Sequence, residues 1–511
     1  MPECTAGGTL IYYSLRRIGK ELHSVSVERS ICPDIYHPAI ARDGLLTRLR
    51  IPGGVLNESQ CLTIASLLES LSLEYIQVTN RANLQLRSLA KDLDRELLSK
   101  LADCGLAAGN SAVDGIRNIM ISPTAGIDSQ ESIDVRPLAD AWHEYLTEHP
   151  ELGVLSSKFS VGFDGGGSVG IVDRPNDITL LAVGSREFSL YLGMRERGDP
   201  PLPVDVRLDS DECVPMLAAI AQSYRRGSEV LGGDARRKPR LRDAIGHYGL
   251  TGFGEVVQRE FGTSRRFVFK NLDLKRFSTE NGDVAQTQSR LSDRHLGVHQ
   301  QCQSDCYYLG VVLPLGRWSG SQVRGVGSIA ARYGSGQIRL TPWQNLIIPD
   351  VQAIDLARVQ GLINDLSLVT TANHPSSLLR ACAGATGCQF SATDTQRDAI
   401  ALSEYLAANF TLDRPLNIHF SGCDKSCAQH DRADITLWGD ERTRSYRLAI
   451  GGFTDRSEPE QSDLLAPLSV PIAIGNLIAA YHHQRLNPQE SFESFTTRQS
   501  PVQLHQILHA V

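Results

Sequence analysis

SQCLTIASLLESLSLEYIQVTNRANL, residues 59–84, lies without a gap on SQVRGVGSIAARYGSGQIRLTPWQNL, residues 321–346. Ser59 and Ser321, Gln60 and Gln322, Ile76 and Ile338, Thr79 and Thr341, Asn83 and Asn345, and Leu84 and Leu346 coincide at one offset of 262. The correspondence continues downstream: Arg117 meets Arg380 at 263, Lys158 of KFS meets His419 of HFS at 261, and Asp177 of DITL meets Asp434 at 257. A slowly drifting offset over such a span marks a tandem duplication with small insertions and deletions, and a repeat of this kind decides the fold before local propensity does.

Each copy reads as α+β. TRLRIP (47–52) and EYIQVTN (74–80) alternate as strands, and ESQCLTIASLLESL (58–71) between them places apolar residues at helical spacing behind a cap at Asn57 or Ser59. The expected architecture is two related halves packed about a pseudo-twofold axis. The boundaries drawn are an N-terminal extension at 1–30, a first strand-helix-strand half-domain at 31–105, and a first α+β domain at 106–225. A helical insertion and polar linker follow at 226–305, then the second half-domain at 306–365 and the second α+β domain at 366–511. The first thirty residues have no counterpart in the second copy.

With 511 residues, 41% hydrophobic and 21% charged, the chain has the composition of a globular protein with more than one core. A formal charge of −7 gives no bulk attraction for nucleic acid. No stretch is apolar for long enough to span a bilayer, and the N-terminal segment lacks a leader-like apolar core, so a cytoplasmic protein is expected. Eleven cysteines are then read as reduced thiols, which makes a tight group of four a candidate metal site before a disulfide framework.

Four thiols stand out. Cys382 and Cys388 form C-x5-C in RACAGATGCQF, and Cys423 and Cys427 form C-x3-C in HFSGCDKSCAQH. Their counterparts in the first copy are Ile119, Ala125, Gly162 and Gly166, so only the second copy carries sulfur. The wide first spacing is unusual for zinc, whereas iron–sulfur clusters accept varied spacing. Small residues around the thiols let backbone amides approach a bulky cluster, and a [4Fe–4S] cluster is the expected occupant. Cys302 and Cys306 form another C-x3-C without a second pair, and are read as exposed or locally paired thiols.

The first copy carries cations at the corresponding landmarks: Arg81 and Arg87 in TNRANLQLR, Arg117 in GIRN and Lys158 in SSKFS. Facing the thiols across the axis, they form the expected clamp for a ligand rich in carboxylates. His419 and His430 lie near the thiol loops and are read as packed or surface residues, and GFDGGGSVG (162–170) as a hairpin turn.

These motifs resemble the nitrite/sulfite reductase superfamily, over a span from about Ile31 to about Gly452. The resemblance implies duplicated ferredoxin-like half-domains, each followed by an α+β domain, with a cluster on Cys382, Cys388, Cys423 and Cys427. In siroheme-dependent members, residues matching Arg81, Arg117 and Lys158 contact the haem or its anion, and the thiol matching Cys427 bridges the two cofactors. Asn83, Arg87, Gln344 and Asn345 fall on the remaining tetrapyrrole-binding motifs. Ser160 stands where sulfite reductases carry a second lysine, and Lys425 departs from the asparagine of their CPN motif.

Within the superfamily, DGLLTRLRIPGG (43–54), TNRANLQLR and SGCDKSCA (421–428) most resemble the precorrin-3B synthases of cobalamin biosynthesis. That resemblance implies O2-dependent hydroxylation of precorrin-3A at C20 with γ-lactone formation, with a mononuclear non-haem iron as a further cofactor and Arg117 and Lys158 at the reacting centre. The alternative is a siroheme- and [4Fe–4S]-dependent assimilatory nitrite or sulfite reductase. A third reading is a degenerate member that stores or escorts a tetrapyrrole. The enzyme readings need a tetrapyrrole and an electron donor, either ferredoxin or a NAD(P)H-dependent reductase.

Overall fold

The computed structural model describes residues 33–194, 201–232, 238–262, 265–270, 292–430, 433–450 and 464–510. The extension at 1–30 and most of the polar linker lie outside the described residues. Among those described, no helix is long and apolar enough to cross a membrane.

The first half supplies β1 (Ala39–Ala41), β2 (Gly44–Leu49), β3 (Val55–Asn57), β4 (Ile76–Val78) and β5 (Leu84–Leu89), then β6 (Asn118–Ile121), β7 (Ser160–Asp164), β8 (Ile178–Ala182), β9 (Glu187–Leu192) and β10 (Leu202–Asp209). The second half supplies β11 (Gly297–Gln300), β12 (Cys306–Val311), β13 (Arg317–Trp318), β14 (Gln337–Leu340) and β15 (Leu346–Gln352), then β16 (Leu379–Ala381), β17 (Ile418–Ser421), β18 (Ile435–Gly439), β19 (Tyr446–Ile450) and β20 (Leu464–Leu465). They form four five-stranded sheets, two per half.

The half-domain sheets exchange an edge strand. Their orders are β1-β2-β5-β4-β13 and β11-β12-β15-β14-β3, so each closes on a strand from the other copy. Trp318 pairs with Ile76, and Leu56 with Ile338, both antiparallel. The exchanged strands feed equivalent helices, Glu58–Ser70 and Gly320–Tyr333, each opened by a capping box, Asn57 with Gln60 and Ser319 with Gln322. The two helices pack on each other, joined at their exposed edge by Arg324 and Glu69 at 2.7 Å. One apolar core therefore serves both half-domains, with Leu56, Ile64, Val78, Trp318, Val326 and Ile338 all buried in it.

The duplication extends to backbone conformation. Left-handed φ values recur at Gly54 and Gly316, Ala82 and Gln344, and Ser88 and Asp350, each pair separated by the 262 of the sequence. Asn83 Oδ1 accepts the amide of Ile51 at 2.8 Å, and Asn345 Oδ1 accepts that of Leu313 at 3.1 Å. These two asparagines bracket equivalent turns, so the side chains expected to bind a tetrapyrrole are committed to the fold.

The α+β sheets run β10-β9-β8-β7-β6 and β16-β17-β18-β19-β20. In each, the first three strands in chain order are parallel and the last two antiparallel. A helix crosses between the first two strands, Arg136–Glu148 burying Ala139, Trp142 and Leu146, and Thr395–Asn409 burying Ala399, Leu402 and Leu406.

Three boundaries and turns differ from the sequence reading. Helix Leu241–Phe261 packs on helix Cys213–Leu231, and both enter the core of the first α+β domain through Tyr224, Ile245 and Phe253. Residues 241–261 are thus part of the first α+β domain, because the helix buries its apolar face against helix Cys213–Leu231. The second half-domain starts at β11, upstream of residue 306. GFDGGGSVG does not make a hairpin, since β7 and β8 are parallel and the glycines belong to the crossover between them.

The exchange makes β13 a test of the shared core. Trp318→Ala, at a side chain 1% exposed, is expected to lower stability by about 3–5 kcal/mol in denaturant titration. Ile354→Ala, at 91% exposure, should stay within about 0.5 kcal/mol of the parent.

Candidate functional site

The four thiols sit in two loops at one end of a parallel strand pair. Cys382 follows β16 and its amide donates to Phe420 O at 3.1 Å, while Cys423 follows β17. Neighbouring parallel strands point their C-terminal loops the same way, so the two cysteine pairs converge by topology. Cys388 closes the short turn Gly384–Gly387, with its amide on Gly384 O at 2.8 Å. Burial pushes the Cys423 thiol up from its ordinary value, and the sulfurs of Cys427, Cys382 and Cys388 push the same way, which places all four in one electrostatic neighbourhood. The Gly422 amide donates to Cys382 Sγ at 3.2 Å.

Among the described residues, no three His, Cys, Asp or Glu side chains are close enough to hold a single metal ion. A four-iron cluster instead needs thiolates spread around its corners, with amides aimed at sulfur, and the two loops provide this chemistry.

The thiol loop is braced by the first half-domain. Arg87 donates to Gly387 O at 2.6 Å and to both oxygens of Asp43 at 2.9 and 3.0 Å. Gly387 permits this approach, since a Cβ there would lie 2.6 Å from Arg87 Nη2. Asn80 Nδ2 donates to Cys427 O at 3.4 Å. Arg87, expected as a clamp on a ligand, is a clamp on the protein's own loop.

The equivalent loops of the first copy are filled by carboxylates. Asp164, fully buried, accepts the amides of Gly166, Ile171 and Val172 at 3.0, 2.6 and 3.0 Å. Asp128 accepts the Ser168 amide at 2.6 Å, and Glu131 accepts the Gly126 amide. The second half-domain braces this loop as the first braces the thiols, with Arg339 donating to Pro123 O and Ala125 O at 3.2 and 2.7 Å.

The expected cations are divided by the structure. Arg117 is 2% exposed and ion-paired to Asp114 at 3.0 Å, and it also donates to Arg50 O at 3.4 Å. Arg81, half-buried, donates to Lys158 O and Pro175 O, both at 3.3 Å, and Lys158 is exposed beside it. Ser160 is buried, with its amide and hydroxyl on Asp177 Oδ2 at 3.1 and 3.4 Å.

A cleft opens where all four domains meet, next to Cys427. Its walls include Asn80, Arg174, Trp343, Gln344, Arg380 and His430, while Arg117 and Arg87 do not line it. Of the expected tetrapyrrole contacts, Gln344 reaches the cleft, with its amide nitrogen also on Val78 O at 3.1 Å. Arg81 and Lys158 stand at its margin through Pro175, another lining residue. His419 is 1% exposed, and burial, the nearby His430 and Arg380 hold its imidazole down to about 3. Cys302 and Cys306 are free thiols away from this junction, Cys302 against Gly126 O and Cys306 beside Gln352.

Sequence reasoning missed Arg174 and Trp343 and treated Arg380 only as a repeat landmark. A signal existed: Trp343 is the counterpart of Arg81 at the same offset, and Arg380 that of Arg117.

This fold and cysteine placement define a protein of the nitrite and sulfite reductase class. The family description "Nitrite/Sulfite reductase ferredoxin-like half domain" matches residues 37–104 and 299–366, and "Nitrite and sulphite reductase 4Fe-4S domain" matches residues 112–265. A protein of Synechococcus elongatus named ferredoxin–nitrite reductase is 31% identical over 82% of this chain and 80% of its own. The chloroplastic ferredoxin–nitrite reductase of Arabidopsis thaliana is 28% identical over 77% of this chain and 67% of its own. The assimilatory ferredoxin-dependent nitrite reductase of Haloferax mediterranei is 26% identical over 89% and 82%. The solved structure of Mycobacterium tuberculosis NirA protein shares the fold, with a TM-score of 0.70 and 20% identity over 90% of this chain and 84% of that one. The chain belongs to the nitrite/sulfite reductase family and is an oxidoreductase. These relatives, all named as nitrite reductases, overturn the precorrin-3B synthase expectation, which rested on short motifs.

The carboxylate-filled loop predicts a pH effect. Burial pushes the Glu131 carboxyl up to about 7 from 4.5. Between those values the folded chain keeps a proton that the unfolded chain releases, so this group's contribution to stability falls as pH rises through the window. Glu131→Gln keeps an acceptor for the Gly126 amide. Its denaturation midpoint relative to the parent is expected to be higher at pH 8 than at pH 4.5.

Proposed function

We propose that this chain is a ferredoxin-dependent nitrite reductase carrying a [4Fe–4S] cluster and siroheme. The observation that carries the reading is the cleft at the four-domain junction, walled by two arginines and adjoining the loop of Cys427. The relatives named as ferredoxin–nitrite reductases support the same choice over most of the chain's length.

Cys382, Cys388, Cys423 and Cys427 would hold the cluster, and Arg174 and Arg380, with Arg81 and Lys158 at the margin, fit the carboxylates of siroheme. Bound there, siroheme supplies an iron on which a small anion is reduced. The chain's own work is to hold the thiol loop rigid through Arg87, to keep cations near the anion, and to fix the Lys158 segment. That segment is pinned from behind, since Asn118 Nδ2 donates to Ser157 O and Phe159 O, both at 3.1 Å.

Ser160 favours nitrite over sulfite. Where a second lysine would add charge, there is a buried hydroxyl against Asp177, whose carboxylate pairs with Arg240 at 2.8 Å. A singly charged anion loses less from that missing cation than a doubly charged one, each charged contact being worth about 1.5–3 kcal/mol.

Purified protein supplied with reduced ferredoxin should consume nitrite and turn over sulfite at least about ten-fold more slowly. Equal or preferential sulfite turnover would reverse the substrate assignment. Cys423→Ser should abolish the cluster's visible absorption and its iron and sulfide, whereas Cys302→Ser should leave them intact. A Cys423→Ser protein with full iron and sulfide would sink the ligand assignment.

A further inference from the structure

Helix Pro501–Leu508 and the residue that follows it carry two histidines one turn apart. The packing of the helix fixes the side they take. Leu508 is buried, and Leu504 and Ile507 pack against the same apolar core, so the inward face runs through 504, 507 and 508. His505 and His509 share the neighbouring stripe, and both are exposed. Their ring centroids are 4.5 Å apart, with the planes inclined at 48°.

The pair is held from both ends. Ser500 and Gln503 form a capping box, with Pro501 opening the first turn. Beyond the helix, the His509 amide donates to His505 O at 3.2 Å, and Asn476 Nδ2, on helix Val470–Gln484, donates to Ala510 O at 2.8 Å. The backbone carrying the imidazoles is therefore fixed before any ligand arrives, and a chelated ion has little chain entropy to overcome. Both rings also lie at the carbonyl end of the helix, where the macrodipole favours a cation.

The ring separation selects the ion. An imidazole nitrogen sits about 2.0–2.1 Å from a bound metal and about 1.1 Å from its own ring centre, so a centroid lies about 3.2 Å from the metal. Two such ligands at a right angle have centroids about 4.5 Å apart, and at the tetrahedral angle about 5.2 Å. The observed 4.5 Å matches the right angle, the preference of nickel(II) and copper(II). Among the described residues no third His, Cys, Asp or Glu side chain joins the pair, so water would take the remaining positions.

We propose that His505 and His509 form a surface site for one divalent transition ion of the nickel or copper type, bound through one nitrogen of each imidazole. Imidazole suits these ions, and both side chains are reached from solvent without opening the fold. The ion clips the last turn of the helix closed and so stabilises an element that packs on helix Val470–Gln484 at the edge of the second α+β core. His482 and His483 do not repeat the arrangement, since consecutive helical residues point apart and His482 lies 3.7 Å from Asp413.

The test uses full-length protein with its cofactors and without an affinity tag, dialysed to equilibrium against nickel(II), with nickel per chain read by elemental analysis. The parent should bind one ion saturably at this site. His505→Asn and His509→Asn should each weaken that binding at least about ten-fold, because losing one of two tethered ligands removes the chelate advantage. His483→Asn and Cys302→Ser, at exposed side chains outside the pair, should bind as the parent does. Amide hydrogen exchange gives a second readout: nickel should slow exchange at residues 506–509 in the parent and in neither histidine variant.

Parent protein that binds no nickel saturably, or either histidine variant binding it with parental affinity, would overturn the site. Should a variant be purified without its cluster, exchange in the parent decides: slowing at residues 506–509 on adding nickel supports the site, and unchanged exchange refutes it.

Discussion

The exchange of β3 and β13 between the two half-domains is the constraint on which the rest depends. A lone half-domain sheet would expose β4 or β14 as an open edge, and each copy closes that edge with the other's strand. Because one core then serves both copies, the loops that follow cannot be positioned by their own half alone. The thiol loop of the second copy rests on Arg87 of the first, and the carboxylate-filled loop of the first copy rests on Arg339 of the second. The junction next to Cys427 is a consequence of this crossing.

Duplication freed one copy to specialise. Two α+β domains of the same topology contain equivalent loops with opposite contents. In one, thiols and small residues leave space for a cluster, and in the other Asp128, Glu131 and Asp164 satisfy the loop amides with carboxylate oxygens. Both solutions meet the same requirement, since buried amides need acceptors whether these are oxygen or sulfur. With the cluster held on the thiols as proposed above, the first solution would carry electrons and the second would not.

Charge is distributed by burial. Arg117 with Asp114 and Arg87 with Asp43 are close pairs of low exposure, and removing one partner of such a pair leaves a charge poorly solvated. These arginines maintain the scaffold. Arg174 and Arg380 line the cleft wall, the first paired to Asp173 beside an aromatic ring and the second on backbone carbonyls. Ser160 places a buried hydroxyl against Asp177 and adds no charge there.

The sequence by itself determined the duplication, the strand-helix-strand unit and the cysteine pairs. Each is written in covalent order: an offset repeated from Ser59 to Leu84, a cap three residues before Gln60, thiols confined to one copy. Only the tertiary structure decided that β3 and β13 cross over, that helix Leu241–Phe261 completes a domain, and that Arg380 and Trp343 line the junction cleft while Arg117 does not. The physical reason is that an arginine's role depends on which carboxylate lies within reach and how far water is excluded. Asp114 is three residues from Arg117 and was visible, but the burial that makes their pairing obligatory comes from elements far apart in the chain.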